Sequence, residues 1–385
     1  MTLRPSIAVL AALLAAAPAA AQDRPTVAVP QDPPAPSVVQ APTGAAAAQD
    51  RHLPTFYGVL NVQASRLDAP AAGANTSTVE LRRARFGVRG EVTSHVGYSL
   101  LFEAADVAVK DAYVALKKLP WLPGVELRAG QWKTPFGYEQ PESDTKLLWV
   151  TSSYVVASLA RSTTTSSLTA SGDARDLGLG VNGKWRVAGG VGAELAATVA
   201  NGAGPSRRDD LDQKNLWARS GLSLELGRTT ARAGGSYGYG RQLAGLGANG
   251  RFDGQDSVDD TSFRFTTYGG DVTLDTPFFF AAAELIQSER DVFDAATGAR
   301  SDVLARGWYA GLYGKTPWNV GPVLRAERFD RNRATAGDGN ERYTVGAYVD
   351  VLPINARLIA NFERDASQAN VRTGDRAILF GQVIF

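Results

Sequence analysis

The stretch Phe56-Tyr57-Gly58-Val59-Leu60-Asn61-Val62-Gln63-Ala64 alternates between two kinds of residue. Leu60 and Val62 fall on one face, and Asn61 and Gln63 fall on the other, which is the pattern of a β-strand with one apolar side. The same two-residue period recurs to the end of the chain and predicts sixteen strands. They lie near residues 55–65, 78–91, 95–106, 109–117, 124–133, 174–185, 190–200, 216–226, 229–240, 263–274, 278–289, 301–314, 321–331, 341–351, 355–364 and 375–385.

The links between these predicted strands alternate in length. Short links such as Asp275-Thr276-Pro277 and Leu352-Pro353-Ile354 alternate with longer ones, and the brief link near residues 106–108 is the exception. Short turns on one side and long loops on the other are typical of outer-membrane barrels, whose tilted strands cross the bilayer in about ten residues. We therefore predict an all-β fold, a transmembrane antiparallel β-barrel of about 16 strands, over residues 54–385.

Aromatic residues and the last strand support this fold. Aromatic residues near strand ends are consistent with interfacial girdles; they are Trp121, Phe278 to Phe280, Trp308 and Tyr309. The chain closes with the apolar strand Leu379-Phe380-Gly381-Gln382-Val383-Ile384-Phe385, although a buried last strand of a soluble protein could look similar. In an outer-membrane barrel this strand carries the assembly signal, so we assign that role to Phe385 and expect barrel-assembly machinery as a partner.

The N-terminus predicts export. Arg4, the apolar run over residues 7–17 and Ala19-Ala20-Ala21 form the three parts of a signal peptide, residues 1–21. The apolar run is too short for a spanning helix. Residues 22–53 are rich in Pro and Ala and predict a disordered periplasmic leader. Together with the barrel, these segments predict the outer membrane of a Gram-negative bacterium.

Charge and composition exclude several other classes. With 40 Lys and Arg against 39 Asp and Glu, the formal net charge of +1 gives no reason to expect nucleic acid as a partner. The chain has no Cys and only two histidines, His52 and His95, so we expect no metal site, no cofactor and no catalytic residue. The enzymatic alternative is a barrel-embedded hydrolase with a Ser–His pair, but His52 lies in the leader and His95 near a predicted periplasmic turn.

The link after the fifth strand, residues 134–173, is the longest in the chain. A barrel of sixteen strands encloses a water-filled lumen, and a long apolar loop needs a surface that covers it. We expect this third loop to fold inward and narrow the pore; the alternative is an outer lid packed on other loops or on another subunit. The candidate constriction residues are Pro135, Phe136, Tyr138, Glu139 and Trp149.

The two-residue alternation of the strands, called here strand parity, places nine arginines and ten carboxylates on the inward face. These charges nearly cancel, so their sum favours neither anions nor cations in the lumen. The arginines are Arg83, Arg85, Arg89, Arg128, Arg219, Arg232, Arg325, Arg342 and Arg357, and the carboxylates are Glu91, Glu103, Asp111, Glu126, Glu225, Asp271, Glu284, Glu327, Asp350 and Glu363. Three of the arginines share one strand and cannot pair with one another. We predict that Arg83, Arg85 and Arg89 form one wall of the narrow zone, with Lys133 and Arg161 close by. The candidate anion-binding set also includes Arg128 and Lys146.

Several stretches resemble the phosphate-selective porin O/P family of Gram-negative outer membranes. They are Ala129-Gly130-Gln131-Trp132-Lys133-Thr134-Pro135-Phe136-Gly137-Tyr138-Glu139, Arg82-Arg83-Ala84-Arg85-Phe86-Gly87-Val88-Arg89-Gly90 and Arg325-Ala326-Glu327-Arg328-Phe329-Asp330, together with the closing strand. The similarity spans roughly residues 54–385. It implies a sixteen-stranded homotrimer whose third loop folds inward and whose lumen favours small anions such as phosphate.

Two transport functions follow from these observations. The first is a passive channel for small hydrophilic solutes that prefers anions, surrounded by outer-membrane lipid and lipopolysaccharide. The second is a non-selective diffusion porin, because the dense lysine cluster expected of phosphate-specific members is not visible in the chain. Equal permeability to cations and anions would distinguish the second from the first.

Overall fold

The computed structural model describes residues 53–69, 75–160, 174–209, 212–243, 262–293, 300–351, 355–369 and 371–385. The chain forms a closed antiparallel barrel of sixteen strands, as the sequence predicts. The strands are β1 (Thr55–Asp68), β2 (Thr76–Thr93), β3 (Val96–Glu103), β4 (Ala108–Leu116), β5 (Val125–Lys133), β6 (Arg175–Ala188), β7 (Val191–Ala200), β8 (Asn215–Leu226), β9 (Thr229–Leu243), β10 (Ser262–Asp275), β11 (Phe279–Phe293), β12 (Arg300–Gly314), β13 (Val320–Asp330), β14 (Gly339–Val351), β15 (Ala356–Asp365) and β16 (Asp375–Ile384).

Barrel closure joins the first strand to the last. β1 pairs with both β2 and β16, so the sheet has no open edge. At the end of this seam, Gly58 and Phe385 exchange two backbone hydrogen bonds, of 2.7 and 3.1 Å. A closed sheet is required in a bilayer because an edge strand would leave backbone groups without partners in hydrocarbon.

The two faces of β1 follow the predicted alternation. Asn61 is fully buried and Gln63 is 4% exposed, whereas Leu60 and Val62 are more than 40% exposed. The polar residues therefore face the interior of the barrel, and the apolar residues face the surrounding membrane.

The connections differ between the two ends of the barrel. At one end, called here the outer-loop end, they comprise residues 69–75, 104–107, 134–174, 201–214, 244–261, 294–299, 331–338 and 366–374. At the short-turn end they comprise residues 94–95, 117–124, 189–190, 227–228, 276–278, 315–319 and 352–355. The loop asymmetry predicted from the sequence is present, and the connection from β5 to β6 is the longest.

Part of the predicted aromatic girdle is wrong. Trp121, Phe278 and Trp308 are exposed on the outside, but Tyr309 is 1% exposed and Phe280 is 6% exposed, and both face the lumen. Neighbouring residues of a strand point to opposite faces, so a run of aromatic residues cannot lie entirely in one girdle.

Helical structure is limited to one short element in the described ranges. A π-helical turn, Val156–Ala160, lies within the β5–β6 connection. Across those ranges, no helix is both long and apolar enough to cross a membrane.

Candidate functional site

Residues 134–160, called here the connection segment, are the described part of the β5–β6 connection and hydrogen-bond to inward-facing side chains. Near the start of the segment, the backbone N–H groups of Tyr138 and Glu139 donate to the Glu284 carboxylate of β11, at 3.3 and 3.2 Å. Further along, Arg342 of β14 donates to the Ser152 carbonyl at 2.8 Å. Wall side chains thus satisfy backbone groups that would otherwise need water.

The middle of the segment is held in the same way. Arg325 of β13 donates to the Thr151 carbonyl at 2.7 Å, and the Thr151 hydroxyl donates to Glu363 of β15. Asn361, two residues before Glu363, donates to the Leu148 carbonyl at 3.3 Å. These bonds attach the segment to β13 and β15.

An apolar cluster fills the space between the segment and the wall. Trp149 is 1% exposed, and its ring centroid lies 6.2 Å from that of Tyr309. The inward Gly311 permits this approach, because a Cβ there would fall 2.7 Å from the Trp149 ring. Phe136 is fully buried and packs edge-on against Trp217, with a centroid distance of 5.6 Å. Among the other candidate constriction residues, Pro135 and Glu139 are buried and Tyr138 is half-buried.

Three predicted cations converge on one carboxylate of the connection segment, Asp144. The Nε of Arg83 and the Nη1 of Arg85 each lie 3.0 Å from its Oδ2, and the Nζ of Lys133 lies 4.0 Å from its Oδ1. Arg85 also pairs with Glu103 at 2.8 Å. The four converging side chains are 14–24% exposed, so the cluster remains within reach of water.

The cluster strongly favours the charged form of Asp144. Burial alone would raise the pKa of this carboxyl, but the positive charges of Lys133, Arg83, Arg85 and Arg175 outweigh that effect and hold the pKa well below its usual range. Asp144 therefore acts as a fixed negative charge within a group of cations.

Arg82 is an inward-facing residue that the two-residue alternation of the strand does not predict. The register of β1 and β2 shifts between Asn61 and Val62, and the extra residue on β2 is Arg82. This β-bulge turns Arg82 inward, where it donates to the Gln63 amide oxygen and, at 2.9 Å, to the Val150 carbonyl. A bulge has no clear signature in this sequence, and strict alternation from Arg83 would place Arg82 on the outer face.

Of the other candidate cations, those in the described part of the chain form no ion pair with Asp144. Arg89 is exposed, with its guanidinium carbon 5.4 Å from the centroid of the Tyr57 ring. Arg128 pairs with Glu126 on its own strand, and Lys146 pairs with Glu142 at 2.8 Å. Arg161 lies outside the described residues.

Burial divides the inward charges unevenly. Five of the ten carboxylates are no more than 4% exposed: Glu103, Asp271, Glu284, Glu327 and Glu363. Only two of the nine arginines, Arg325 and Arg342, are comparably buried. Seven arginines and five carboxylates of the parity set therefore remain in contact with solvent.

The comparisons with known proteins agree with the barrel. It is similar to a loop-deletion form of OmpT from Vibrio cholerae, with a TM-score of 0.59 and 14% identity over 87% of this chain and all of that one. It is also similar to the anion-selective porin from Comamonas acidovorans, with a TM-score of 0.55 and 13% identity over 86% and 99% of the two chains. Salmonella typhi OmpF is similar as well, with a TM-score of 0.57 and 11% identity over 88% of this chain and 99% of that one. No curated protein matches the chain.

These solved structures share the barrel fold, and together with the family match given next they support the class of outer-membrane porins, channels for small solutes in Gram-negative bacteria. The model of the family "Phosphate-selective porin O and P" matches residues 56–243, from β1 to the end of β9. The family resemblance predicted from the sequence motifs is therefore confirmed over residues 56–243.

Proposed function

We propose that this porin prefers anions and that Arg83, Arg85 and Lys133 form the selective part of its pathway. The uneven burial of the inward charges carries the proposal, because the connection segment and the wall cover acids more than arginines. A lumen that exposes more positive than negative charge concentrates anions and repels cations. The name of the family, which refers to phosphate selectivity, and the anion-selective porin from Comamonas acidovorans are consistent with this direction.

We also propose that residues 134–160 form the constriction of the pore as an inward-folded third loop. Its support is the series of hydrogen bonds to inward side chains, from Glu284 on β11 to Asn361 on β15. An outer lid would instead contact other loops. In the proposed arrangement, Asp144 places a negative charge opposite Arg83 and Arg85 in the narrow zone.

Phosphate is the anion that this cluster suits best. An arginine presents a planar fork that can donate two hydrogen bonds to phosphate, whereas lysine acts as a compact point charge. Arg89 and Arg128, on neighbouring parts of the wall, would provide further steps along the pathway. A phosphate ion would then pass from one arginine to the next. At each arginine, N–H donors of the protein would replace part of the hydration shell of the ion.

A non-selective diffusion porin is the second candidate, and ion pairing favours it. Arg85 has two carboxylate partners, Arg128 has one, and Lys146 has one. If these ion pairs cancel the excess positive charge, the lumen is polar but favours neither anions nor cations.

A bilayer recording distinguishes the two candidates. The refolded protein is placed in a planar bilayer under a potassium chloride gradient, and the reversal potential is measured before phosphate is added. We expect a reversal potential on the chloride side and a chloride current that phosphate reduces. A reversal potential near zero without block would leave only general diffusion.

The remaining features of export and assembly are also proposals. We propose a signal peptide over residues 1–21, a leader over residues 22–53 and a barrel domain over residues 54–385. A homotrimer is supported by the trimer form named for a Vibrio cholerae OmpT structure. Recognition of Phe385 by assembly machinery is supported by its place at the barrel seam. Outer-membrane lipid and lipopolysaccharide would surround the outer face.

A further inference from the structure

We propose that the outer wall of the barrel carries a specific site for the phosphorylated lipid part of lipopolysaccharide, on strands β10 to β14. The proposal deepens the lipid partnership given under Proposed function and is independent of anion selectivity. Two features carry it: an apolar groove on the membrane-facing side, and unpaired arginines at the outer-loop end of the same strands.

The groove has a floor of small residues. Ala283, Ala310 and Ala326 lie side by side across β11, β12 and β13, in one row of the sheet. Larger outward residues surround the row and leave a depression of about 570 Å³. They are Val272, Leu274, Leu312, Leu324, Tyr343 and Val345.

The shape of the groove suits an acyl chain. Because the membrane interior is itself apolar, moving a chain into the groove brings little hydrophobic gain, and close packing must supply the preference for this position. The groove therefore sets where a chain lies, and the affinity must come from the headgroup.

Two arginines stand directly above the alanine row. Arg306 lies two residues from Trp308 on β12, and Trp308 faces Arg328 across the β12–β13 pair. Arg306 and Arg328 are thus diagonal neighbours on the outward face, where Cα atoms are about 7–8 Å apart, a separation that one phosphate can bridge. Both side chains are exposed, and neither has a hydrogen bond or an ion pair in the described part of the chain.

A third arginine lies next to this pair. The backbone N–H of Arg333 donates to the Leu304 carbonyl at 3.0 Å, which places it beside the outer end of β12. Its side chain is exposed and likewise lacks an ion pair among the described residues. Other outward arginines near this end do have partners: Arg264 lies 3.6 Å from Asp291, and Arg364 pairs with Asp375.

Two acidic residues are the direct strand neighbours of these arginines, but neither forms an ion pair with them. Glu341, the strand neighbour of Arg328, accepts a hydrogen bond from the Tyr343 hydroxyl. Asp330 is the strand neighbour of Arg306 but forms no ion pair with it. The site is therefore mixed in charge, and its free donors are arginines, which favours a phosphate group over a cation.

The exposed arginines and the apolar groove follow one another along the strands in the same order as the headgroup and acyl chains of a lipid in the outer leaflet. Arg306 and Arg328 lie towards the long connections, at headgroup level, and Ala310 and Leu312 follow them towards the hydrocarbon. Trp308 lies in the row of Arg328, directly above Ala310 on the same face, and tryptophan is enriched at membrane interfaces. In the outer leaflet of the outer membrane, the lipid with phosphates and several acyl chains is lipopolysaccharide.

Native mass spectrometry of the full refolded protein tests the site, with bis-phosphorylated hexa-acyl lipid A as the probe. We expect a bound lipid in the wild type and at least about tenfold weaker binding in Arg306→Gln/Arg328→Gln. Ala310→Phe, which fills the groove and leaves the arginines intact, should also weaken binding. The matched control is Arg264→Gln, whose arginine already has a partner, and its binding should stay within about twofold of wild type.

Two further binding measurements distinguish phosphorylated lipid from other occupants of the groove. Lipid A without phosphates should bind the wild type as weakly as intact lipid A binds the double variant, and inorganic phosphate should compete poorly. Equal binding by the wild type and the double variant would overturn the proposal, as would full competition by inorganic phosphate. So would a result in which Ala310→Phe changes the oligomer mass but not lipid binding, because a second copy would then occupy the groove.

The outcome is distinguishable from that of the proposed channel function. Arg306 and Arg328 face away from the lumen, so the double variant should keep the wild-type reversal potential. A loss of lipid binding with unchanged selectivity supports the site. A change in selectivity without any change in lipid binding contradicts the outward placement on which the site depends.

Discussion

The Nε of Arg83 lies 3.0 Å from the Oδ2 of Asp144, and through this contact the wall of β2 meets the connection segment. The same oxygen accepts a second interaction from Arg85 at 3.0 Å. A carboxylate from the connection segment therefore occupies the centre of the basic cluster and offsets part of its charge. This arrangement gives Asp144 direct influence over how strongly the cluster attracts solute anions.

Replacing Asp144 with asparagine should make the pore more anion-selective. The change removes one negative charge and leaves Arg83, Arg85 and Lys133 without their shared partner. Because the cluster is partly exposed, we expect a modest rise of about twofold in the chloride-to-potassium permeability ratio. The control is Asp68→Asn, which breaks an exposed Asp–Arg pair of the same length, with Arg66. An unchanged ratio in Asp144→Asn would contradict the role of this carboxylate.

The effect of Asp144 should persist in mildly acidic solution. Its pKa is lowered from an ordinary value of 3.8, so its stabilising contribution is present above that value and is lost only as the pH falls through the lower folded pKa. Recordings at pH 7 and at pH 3.8, where an ordinary aspartate is half protonated, should give the same difference in selectivity between wild type and Asp144→Asn. A difference that falls by about half at the lower pH would mean that this carboxyl titrates normally.

Gly137→Ala should loosen the connection segment. Gly137 has a φ of +64°, and a Cβ there would collide with the Glu284 carboxylate, which accepts the two neighbouring backbone N–H groups. We expect a loss of about 1–3 kcal/mol in the free energy of unfolding, together with larger and noisier single-channel conductance.

Gly189→Ala provides the matched control for this glycine. Gly189 also has a positive φ, of +55°, but its Cβ would meet nothing within 4 Å. The Gly189→Ala variant should therefore lose only the free energy of unfolding that backbone strain costs, and it should keep the wild-type conductance. Equal conductance changes in both variants would show that the contact with Glu284 does not position the segment.

Trp149→Ala should both destabilise the protein and widen the pore. The side chain is 1% exposed and contacts the rings of Tyr309 and Tyr313, so its truncation should cost about 3–5 kcal/mol. Thermal unfolding and single-channel conductance measure the two effects. Trp121→Ala, at a position 71% exposed, is the control and should change neither. A stable variant with wild-type conductance would argue against a role for Trp149 in holding the segment.

The barrel was predictable because each strand carries its own two-residue period. Asn61 and Gln63 face inward as that period requires, and β1 closes on β16 as an even strand number allows. The inward direction of Arg83 and Arg85 follows from the same rule. Periodicity is local, so one sequence is sufficient to reveal it.

The details of the lumen depend on contacts between distant parts of the chain. Arg82 points inward because β2 has an extra residue, which alternation cannot foresee. Tyr309 and Phe280 face inward by strand alternation, but the sequence does not show that the connection segment supplies the apolar partners that bury them. Likewise, the count of inward charges gave no net sign, since the sequence does not show that Glu284 and Glu363 are covered.

The reversal potential of Arg83→Gln/Arg85→Gln, recorded beside wild type under a potassium chloride gradient, tests the central proposal most directly. The control is Arg264→Gln, because Arg264 is exposed on β10 and lies beside Asp291 instead of Asp144. We expect the double variant to shift towards the cation side while the control stays near wild type. If the double variant retains the wild-type reversal potential, the arginine cluster does not set the selectivity of this pore.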